Sequence, residues 1–442
     1  LAIINSTSNT GAYAWTIPDA ITTLGLVKIT NVDDSTINDV SSATFKIQGN
    51  LNMTVPNGGE IWAAYSTQNV TWQTTGTMPT VDLSMSTDGG TTWASIADSL
   101  SNSGAYSWTV PDNVGGSVRV RVMDHSDSEV FDISNSNFRI RTTLTLTSPN
   151  GGQTWTVGSL RPVTWVNIGV ISNVKLQYSR DNFFMDTQTI LASVVNTGIF
   201  TWTIPDSISN TLRVRVSDPN DSGAYDDSNT DVKIIAAFTV NVPNGGEKWD
   251  VGSGQNITWT WNGSVSDVKL EYSTDGGATY PNIIAAVSNT GSYLWTIPDN
   301  ITAQLRVRVS DLADSANAYD ASNSIAKIRA KFTLTSPNGG EIWKIDDSHT
   351  INWNCIGTVA NVQFDYSRDD FGSDIVNITP STVNDGSQAW IIPDAISTNL
   401  KVRVMSITDT DAYDISNAAF KIHGAFTLTA PNGGEDWRIG QA

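Results

Sequence analysis

The chain has 442 residues, with 25 Lys and Arg against 44 Asp and Glu, so its formal net charge at pH 7 is −19. This acidity disfavours nucleic acid and anionic membrane surfaces as partners, because both carry charge of the same sign. No apolar run is long enough to cross a bilayer as a helix, so we expect no membrane insertion within these residues.

A short phrase, Pro-Asn-Gly-Gly with Trp three residues after the second Gly, divides the chain at an even spacing of about 94 residues. Units of this size can bury a core of their own, unlike the shorter units of solenoids. The prolines that begin the phrase are Pro56, Pro149, Pro243, Pro337 and Pro431.

The copy at 238–331 shows the predicted elements in chain order. An alternating segment precedes the Pro-Asn-Gly-Gly turn, in which Pro presets φ and Asn-Gly is expected to supply the positive φ angles. Further alternating segments follow, separated by turn signals and without an amphipathic helical stretch. The predicted strands are 238–242, 257–261, 268–272, 283–284, 293–297, 305–309 and 326–328. About seven short strands in 94 residues predict an all-β immunoglobulin-like (fibronectin III-like) sandwich.

Most of the 16 tryptophans recur at fixed points of this pattern. Aromatic rings can stack on sugars, but recurrence inside alternating strands favours rings that fill a core. Trp93 and Trp261 lie off the scheme and are the candidates for an exposed glycan contact. The recurrent positions are Trp62, Trp155, Trp249, Trp343 and Trp437 after the turn, Trp72, Trp165, Trp259 and Trp353 in the next strand, and Trp15, Trp108, Trp202, Trp295 and Trp390 before a Pro-Asp pair.

The combination of PNGGExW, an ITW strand, a YSxDGG turn, a Trp-x-Ile-Pro-Asp segment and a VRV strand resembles one known Ig-like repeat. It is similar to the repeat of the Ser/Thr-rich GPI-anchored cell-wall family, associated with β-1,6-glucan assembly, which is also found in giant bacterial and archaeal surface proteins. The resemblance covers essentially the whole chain and implies an extracellular β-sandwich array rather than a reaction.

The repeat pattern predicts six segments. Residues 1–49 are the C-terminal half of an Ig-like repeat, and residues 425–442 begin a further one, so we expect the native chain to continue at both ends. Four complete Ig-like repeats lie between them, at 50–142, 143–237, 238–331 and 332–424. Because no Gly/Ser-rich or Pro-rich linker separates the copies, we expect a stiff, rod-like tandem array.

An acidic loop after each VRV strand is the candidate metal site. Hard oxygen ligands in a loop suit Ca²⁺, whereas short Asp-rich loops are also ordinary turns in which carboxylates bind local amides. Both interpretations stay open, with calcium as the one candidate cofactor. The candidate ligands are Asp124, Asp127 and Asp132, Asp218, Asp221 and Asp226, and Asp311, Asp314 and Asp320.

The residues that usually carry catalysis form no recurrent arrangement. His125, His349 and His423 fall at unrelated points of different copies, and Cys355 is the one cysteine, so no disulfide can form within the chain. No nucleophile and base, zinc-spaced or phosphate-binding pattern is present. The sequence therefore predicts no catalytic residues and no enzyme activity.

The leading hypothesis is a structural extracellular protein, a repeat rod forming a cell-surface stalk, fibre or filament, whose partners are copies of itself or neighbouring repeats. The alternatives are an adhesin or glycan-binding array that contacts cell-surface glycans or proteins, and a non-catalytic spacer of a large secreted enzyme.

Overall fold

A computed structural model describes residues 1–440 of the chain as an all-β protein. Every regular element among these residues is a strand. None of them forms a helix long and apolar enough to cross a membrane.

Two compact units make up the chain. The first comprises Leu1–Trp155, Leu160–Thr203 and Ser209–Lys233. The second comprises Thr156–Ser159, Ile204–Ile208 and the chain from Ile234 onward.

Among residues 1–440 there are forty strands, and the last thirty-six form a set of nine that repeats four times. The N-terminal segment has β1 (Thr22–Gly25), β2 (Lys28–Thr30), β3 (Asn38–Val40) and β4 (Phe45–Ile47). The first sandwich has β5 (Asn50–Val55), β6 (Ile61–Ala63), β7 (Thr67–Thr75), β8 (Thr80–Ser86), β9 (Ala94–Ser101), β10 (Ala105–Thr109), β11 (Gly115–Asp124), β12 (Phe131–Ile133) and β13 (Phe138–Arg141).

The remaining three sandwiches keep the same order and nearly the same lengths. The second has β14 (Thr143–Ser148), β15 (Thr154–Thr156), β16 (Leu160–Ile168), β17 (Asn173–Ser179), β18 (Gln188–Val195), β19 (Ile199–Thr203), β20 (Ser209–Asp218), β21 (Asp221–Asp227) and β22 (Val232–Ile235). The third has β23 (Ala237–Val242), β24 (Lys248–Asp250), β25 (Gly254–Asn262), β26 (Asp267–Ser273), β27 (Asn282–Ser288), β28 (Ser292–Thr296), β29 (Thr302–Asp311), β30 (Tyr319–Ala321) and β31 (Ala326–Arg329). The fourth has β32 (Lys331–Ser336), β33 (Ile342–Lys344), β34 (Ser348–Ile356), β35 (Asn361–Ser367), β36 (Val376–Val383), β37 (Ser387–Ile391), β38 (Ser397–Ser406), β39 (Tyr413–Ile415) and β40 (Phe420–His423).

Each sandwich packs a three-stranded sheet against a six-stranded one. In the first sandwich the orders are β10-β7-β5 and β6-β13-β11-β8-β9, with β12 paired to β11. The pairing is antiparallel, except that β6 runs parallel to the last strand, β13. The equivalent strands pair in the same order in the other three sandwiches. The predicted tandem array of immunoglobulin-like sandwiches is therefore confirmed.

Two of the nine strands in each set are absent from the sequence prediction. In the third sandwich these are β24, which follows the Pro-Asn-Gly-Gly turn, and β30, which lies in the acidic loop. Both contain three residues, which is too short for apolar and polar positions to show an alternation.

The opening turn is held by its own glutamate. The Glu60 carboxylate accepts backbone N–H bonds from Asn57 at 2.7 Å and Gly58 at 2.8 Å. The two glycines, Gly58 and Gly59, take the positive φ angles, which corrects the expectation that Asn-Gly would do so. A side chain at Gly58 would lie 2.5 Å from the Ser136 Cβ, so this position needs glycine for space as well. The Pro56 peptide bond is cis, as it is at the other four copies of the phrase.

The recurrent tryptophans of the four complete sandwiches form their cores. In the third sandwich Trp249, Trp259 and Trp295 are each buried, and the Trp249 and Trp295 rings meet edge to face with centroids 6.1 Å apart. The Trp259 indole N–H donates to the Asn289 side-chain oxygen at 2.8 Å, so its one polar group is satisfied. The other two recurrent tryptophans lie outside the complete sandwiches, where Trp15 is partly exposed and Trp437 is exposed.

Replacing Trp295 by Ala should destabilise the third sandwich by about 3–5 kcal/mol, because the change empties a packed aromatic position. Calorimetry of the whole chain should show part of the unfolding transition moving to lower temperature. The matched control is Trp261→Ala in the same sandwich, where the ring is 36% exposed and much less burial is lost. Equal melting curves for the two variants would contradict a core role for Trp295.

Candidate functional sites at the acidic loops and junctions

The three acidic positions of each loop have separate structural roles. At the first position the carboxylates of Asp124, Asp218 and Asp311 are buried. Each accepts the backbone N–H two residues further along the chain, from Ser126, Asn220 and Ala313 respectively. This is the local turn arrangement that the sequence left as the alternative to calcium.

The third acidic position joins each loop to the first strand of the same sandwich. The Asp132 carboxylate accepts the Met53 N–H at 2.6 Å, in the gap where β5 is irregular. Equivalent bonds of 2.7 Å run to Asp226 from Leu146 and to Asp320 from Val240. These carboxylates satisfy backbone donors at the place where the two sheets meet. No local sequence pattern indicates this contact, because its partners are about 80 residues apart.

The second acidic position faces the preceding repeat in the first unit. Asp127 accepts from the Gln48 side chain at 2.8 Å. Asp221 accepts two bonds, of 2.7 and 3.0 Å, from the Arg141 guanidinium at the end of β13. Two bonds between planar groups hold orientation as well as distance. Desolvation raises the pKa of Asp221, but hydrogen bonds from Arg141 and the Gly223 N–H outweigh it, so the net direction is downward.

The third sandwich has its second acidic residue at Asp314, whose carboxylate accepts from the Asn317 side chain at 2.7 Å. Among residues 1–440 no three Asp, Glu, His or Cys side chains gather as a group that could hold a metal ion. Calcium binding at these loops stays a prediction of the sequence.

The junction between the third and fourth sandwiches, both in the second unit, carries a network of charges. Lys327 on β31 contacts Asp409 at 2.9 Å and Asp411 at 2.6 Å. Lys248 also contacts Asp411, at 2.7 Å. The Arg329 guanidinium donates to the Asp411 backbone carbonyl at 2.7 Å and pairs with Asp250 in its own sandwich. The last strand of one sandwich is thereby fixed to the acidic loop of the next.

A second contact recurs at the junctions, and it uses the aspartate of the Pro-Asp pair. The Asp299 carboxylate accepts the Thr358 N–H at 2.9 Å and its hydroxyl at 2.5 Å. Asp112 accepts the Val170 N–H at 2.7 Å. The same pair of bonds links Asp19 to Thr77 and Asp206 to Ser264.

Each of these junction turns contains a glycine that approaches the preceding repeat closely. Gly357 has a φ of 106°, and a Cβ there would lie 3.2 Å from the Val251 side chain and 3.4 Å from the Ala330 Cα. Gly169 has a φ of 91° and similar clearances to Ala64 and Val114. A larger residue would therefore push the sandwiches apart as well as strain the turn.

One arginine of each VRV strand stacks against aromatic rings at the six-stranded sheet, and these four are Arg121, Arg215, Arg308 and Arg403. The Arg215 guanidinium lies 3.9 Å from the Phe183 ring centroid and 4.1 Å from that of Tyr225. It also donates two bonds to Asp227, which raises the arginine pKa. The arginine is thereby held by an acidic neighbour on the same sheet and by cation–π packing.

The two off-scheme tryptophans have different environments. Trp93 belongs to the arginine stacks, because the Arg121 guanidinium lies 4.8 Å from its ring centroid. Trp261 is on β25 and is 36% exposed, so of the two it is the freer candidate for a ligand contact.

Solved arrays of immunoglobulin-like domains are similar to this chain at low sequence identity. The N-terminal eight Ig domains of Down Syndrome Cell Adhesion Molecule are 10% identical, with 88% of this chain and 57% of that chain covered and a TM-score of 0.25. The tetra-tandem repeat in the extending region of a large adhesion protein is 16% identical, with 85% and 100% covered and a TM-score of 0.25. Ig domains 1–5 of Sidekick-1 are 10% identical, with 88% and 84% covered and a TM-score of 0.21.

No model of a known protein family matches the chain, and no curated protein sequence matches it. Membership of the Ser/Thr-rich GPI-anchored family stays a prediction based on the repeated motif. The solved arrays carry no argument for function at these similarities.

The calcium prediction can be tested by melting the chain in chelator and in millimolar calcium. Binding to the folded loops would add stability of RT ln(1 + [L]/Kd) and raise the melting temperature. The change should be smaller when Asp221 is replaced by Asn. A melting temperature that does not respond to calcium would leave only the hydrogen-bonding roles.

The junction network predicts a specific acid dependence. Hydrogen bonds from Lys248 and Lys327 lower the pKa of Asp411 from 3.8 to about 2. A depressed carboxyl pKa stabilises the folded state above the unfolded pKa, and this contribution is lost as the pH falls from about 4 to about 2. The free energy of unfolding of Asp411→Asn should therefore fall less between about pH 4 and about pH 2 than that of the unmodified chain. Asp385→Asn, at an exposed hairpin turn, is the control, and an equal reduction in both variants would contradict the assignment.

Proposed function

We propose that this chain is a structural, non-enzymatic protein of the cell exterior, whose sandwiches are docked end to end in a rod that serves as a stalk, fibre or filament. The observation that carries this proposal is the repeated junction. A Pro-Asp carboxylate binds the next turn, and the acidic loop of one sandwich binds the last strand of the sandwich before it. Both contacts are present where the first sandwich meets the second and where the third meets the fourth, and together they restrict bending more than a single covalent link would.

The short connections support the same function. β13 ends at Arg141 and β14 begins at Thr143, while β31 ends at Arg329 and β32 begins at Lys331. One residue between two strands leaves little freedom for a flexible linker. The resemblance of the repeated motif to cell-wall and surface repeats supports an extracellular location for this rod.

An adhesin or glycan-binding array is the second candidate, and the exposed part of the Trp261 ring favours it. Its partners would be cell-surface glycans or proteins. Glycan-array binding that is lost in Trp261→Ala, with an unchanged melting curve, would support this function. A non-catalytic spacer of a large secreted enzyme would have the same rod but no ligand of its own.

The rod predicts a large maximum dimension in solution scattering by the dilute chain. The longest strands have 10 residues. At about 3.3 Å per residue they give about 33 Å per sandwich, so four sandwiches give roughly 130 Å. The double variant Asp299→Ala and Lys327→Ala should broaden the distance distribution, because it removes the Pro-Asp contact and the two Lys327 ion pairs of one junction.

The control for this experiment breaks a lysine–aspartate pair inside one sandwich. Lys401 contacts Asp370 at 2.8 Å, between β38 and a hairpin of the fourth sandwich. Lys401→Ala with Asp370→Ala should leave the scattering profile unchanged. A compact particle, or an equal response to the two double variants, would contradict the proposed rod.

A further inference from the structure

Charge is separated between the two sheets of each sandwich. We use the term uncharged face for the outward side chains of the three-stranded sheets. In the first sandwich these are Asn50, Asn52, Thr54, Thr67, Asn69, Thr71, Gln73, Thr75, Ala105, Ser107 and Thr109. In the second they are Thr143, Thr145, Thr147, Leu160, Pro162, Thr164, Val166, Ile168, Ile199, Thr201 and Thr203.

The third and fourth sandwiches follow the same rule. Their outward residues are Ala237, Thr239, Asn241, Gly254, Asn256, Thr258, Thr260, Asn262, Ser292, Leu294 and Thr296, and Lys331, Thr333, Thr335, Ser348, Thr350, Asn352, Asn354, Ile356, Ser387, Ala389 and Ile391. Lys331 is the one charged residue in these sets. Charged residues make up 16% of the chain, so their near absence from these four faces shows that charge is concentrated elsewhere on the sandwiches.

The opposite sheets hold the charge. In the third sandwich the six-stranded sheet carries Lys248, Asp250, Asp267, Lys269, Glu271, Arg306, Arg308, Lys327 and Arg329. A chain with a net charge of −19 repels its own copies. The uncharged face is where two copies can approach without bringing carboxylates together or removing them from water.

Large aliphatic side chains are exposed on this face. In the second sandwich Leu160 is 66% exposed, Val166 57%, Ile168 54% and Ile199 53%. Strand pairing makes them neighbours of threonines, with Val166 opposite Thr145 on β14. Leu294 in the third sandwich and Ile391 in the fourth are 66% and 70% exposed. Such residues gain stability when a second apolar surface covers them.

Hydroxyl groups lie between the aliphatic residues, and they allow this face to form hydrogen bonds with the same face of a second copy. The hydroxyls of Thr147 and Thr164 lie 2.7 Å apart across β14 and β16, and those of Thr54 and Thr71 form the same pair in the first sandwich. A hydroxyl both donates and accepts, so a row of them can bind an identical row. A surface charged with one sign cannot do this.

We propose that the uncharged face is a lateral interface with a second copy of this chain. The two copies pack their three-stranded sheets face to face, as the sheets of a sandwich do. This inference rests on the proposed function and supplies the contact by which single rods associate side by side into a fibre.

The size of the face limits the strength of the interface. Three strands spaced about 4.8 Å apart and about 20 Å long present roughly 300 Å² per sandwich. A stable interface buries about 800 Å² on each partner, so one sandwich is insufficient. Association therefore uses the faces of several sandwiches, and it strengthens with the number of repeats engaged at once.

Sedimentation of the full chain tests this interface. Asn52, Asn69 and Asn256 lie on the face and are each followed two residues later by Thr, which is the acceptor pattern for N-glycosylation. The unglycosylated protein is therefore used. We expect self-association that increases with protein concentration and also with salt, since salt screens the repulsion between acidic chains. A chain that stays monomeric at high concentration and high salt would overturn the proposal.

The decisive comparison uses one substitution on each sheet. Val166→Lys places a charge on the uncharged face, while Val195→Lys places it at a valine that is 65% exposed on β18 of the other sheet. Both variants lower the net negative charge equally, so general repulsion is lowered equally. We expect Val166→Lys to weaken association about tenfold or more, because an ammonium is buried without a partner. Val195→Lys should associate at least as well as the unmodified chain.

Melting curves show whether each variant is folded. If Val166→Lys does not fold, Leu294→Lys in the third sandwich is used in its place. Equal weakening by the lysines on the two sheets would overturn the proposal. A different result would also overturn it: the chain stays monomeric, co-sediments with an insoluble neutral polysaccharide, and loses this binding in Val166→Lys. The face would then bind a glycan. Scattering by the dilute monomer tests the rod without any association between chains. The proposed rod and the proposed lateral interface can therefore be contradicted independently.

Discussion

Burial of the tryptophan side chains between the two sheets is the interaction on which each sandwich depends. No disulfide can cross the sheets within this chain, so their association rests on packing and on hydrogen bonds. Trp62 packs against Trp108 and Phe138, with ring centroids 6.0 and 4.9 Å away, and equivalent indole pairs recur in each complete sandwich. Large rings remove more apolar area from water than other side chains do, which suits a domain of this size.

The acidic loops connect this core to the array. Asp132 fixes the loop to its own first strand, while Asp127, a few residues earlier, accepts a bond from the repeat before it. One short segment therefore sets both the shape of a sandwich and its contact with a neighbour. The carboxylates that resemble a calcium site are individually engaged with amides and cationic side chains. A bound cation would have to compete with these partners.

Separation of charge between the sheets gives the same fold two different surfaces. The six-stranded sheet carries the arginine stacks, and its last strand supplies the cations of the ion pairs at the junctions. The three-stranded sheet is rich in threonine, asparagine and exposed aliphatic residues, and Lys331 is the one charged residue among its outward positions. In the proposed fibre the first surface joins sandwiches along a rod and the second joins one rod to another.

The fold followed from the sequence because its signals are local and repeated. Alternation in segments such as 305–309, turn residues between them, and tryptophans at fixed positions together indicate a sandwich and its core. Tertiary structure alone decided the roles of the charged groups. Whether Asp221 binds a metal or Arg141 depends on residues about 80 positions apart, and the three-residue strands β24 and β30 form only because neighbouring strands supply their hydrogen bonds. The uncharged face also needed the structure, because strand pairing determines which alternating residues lie side by side.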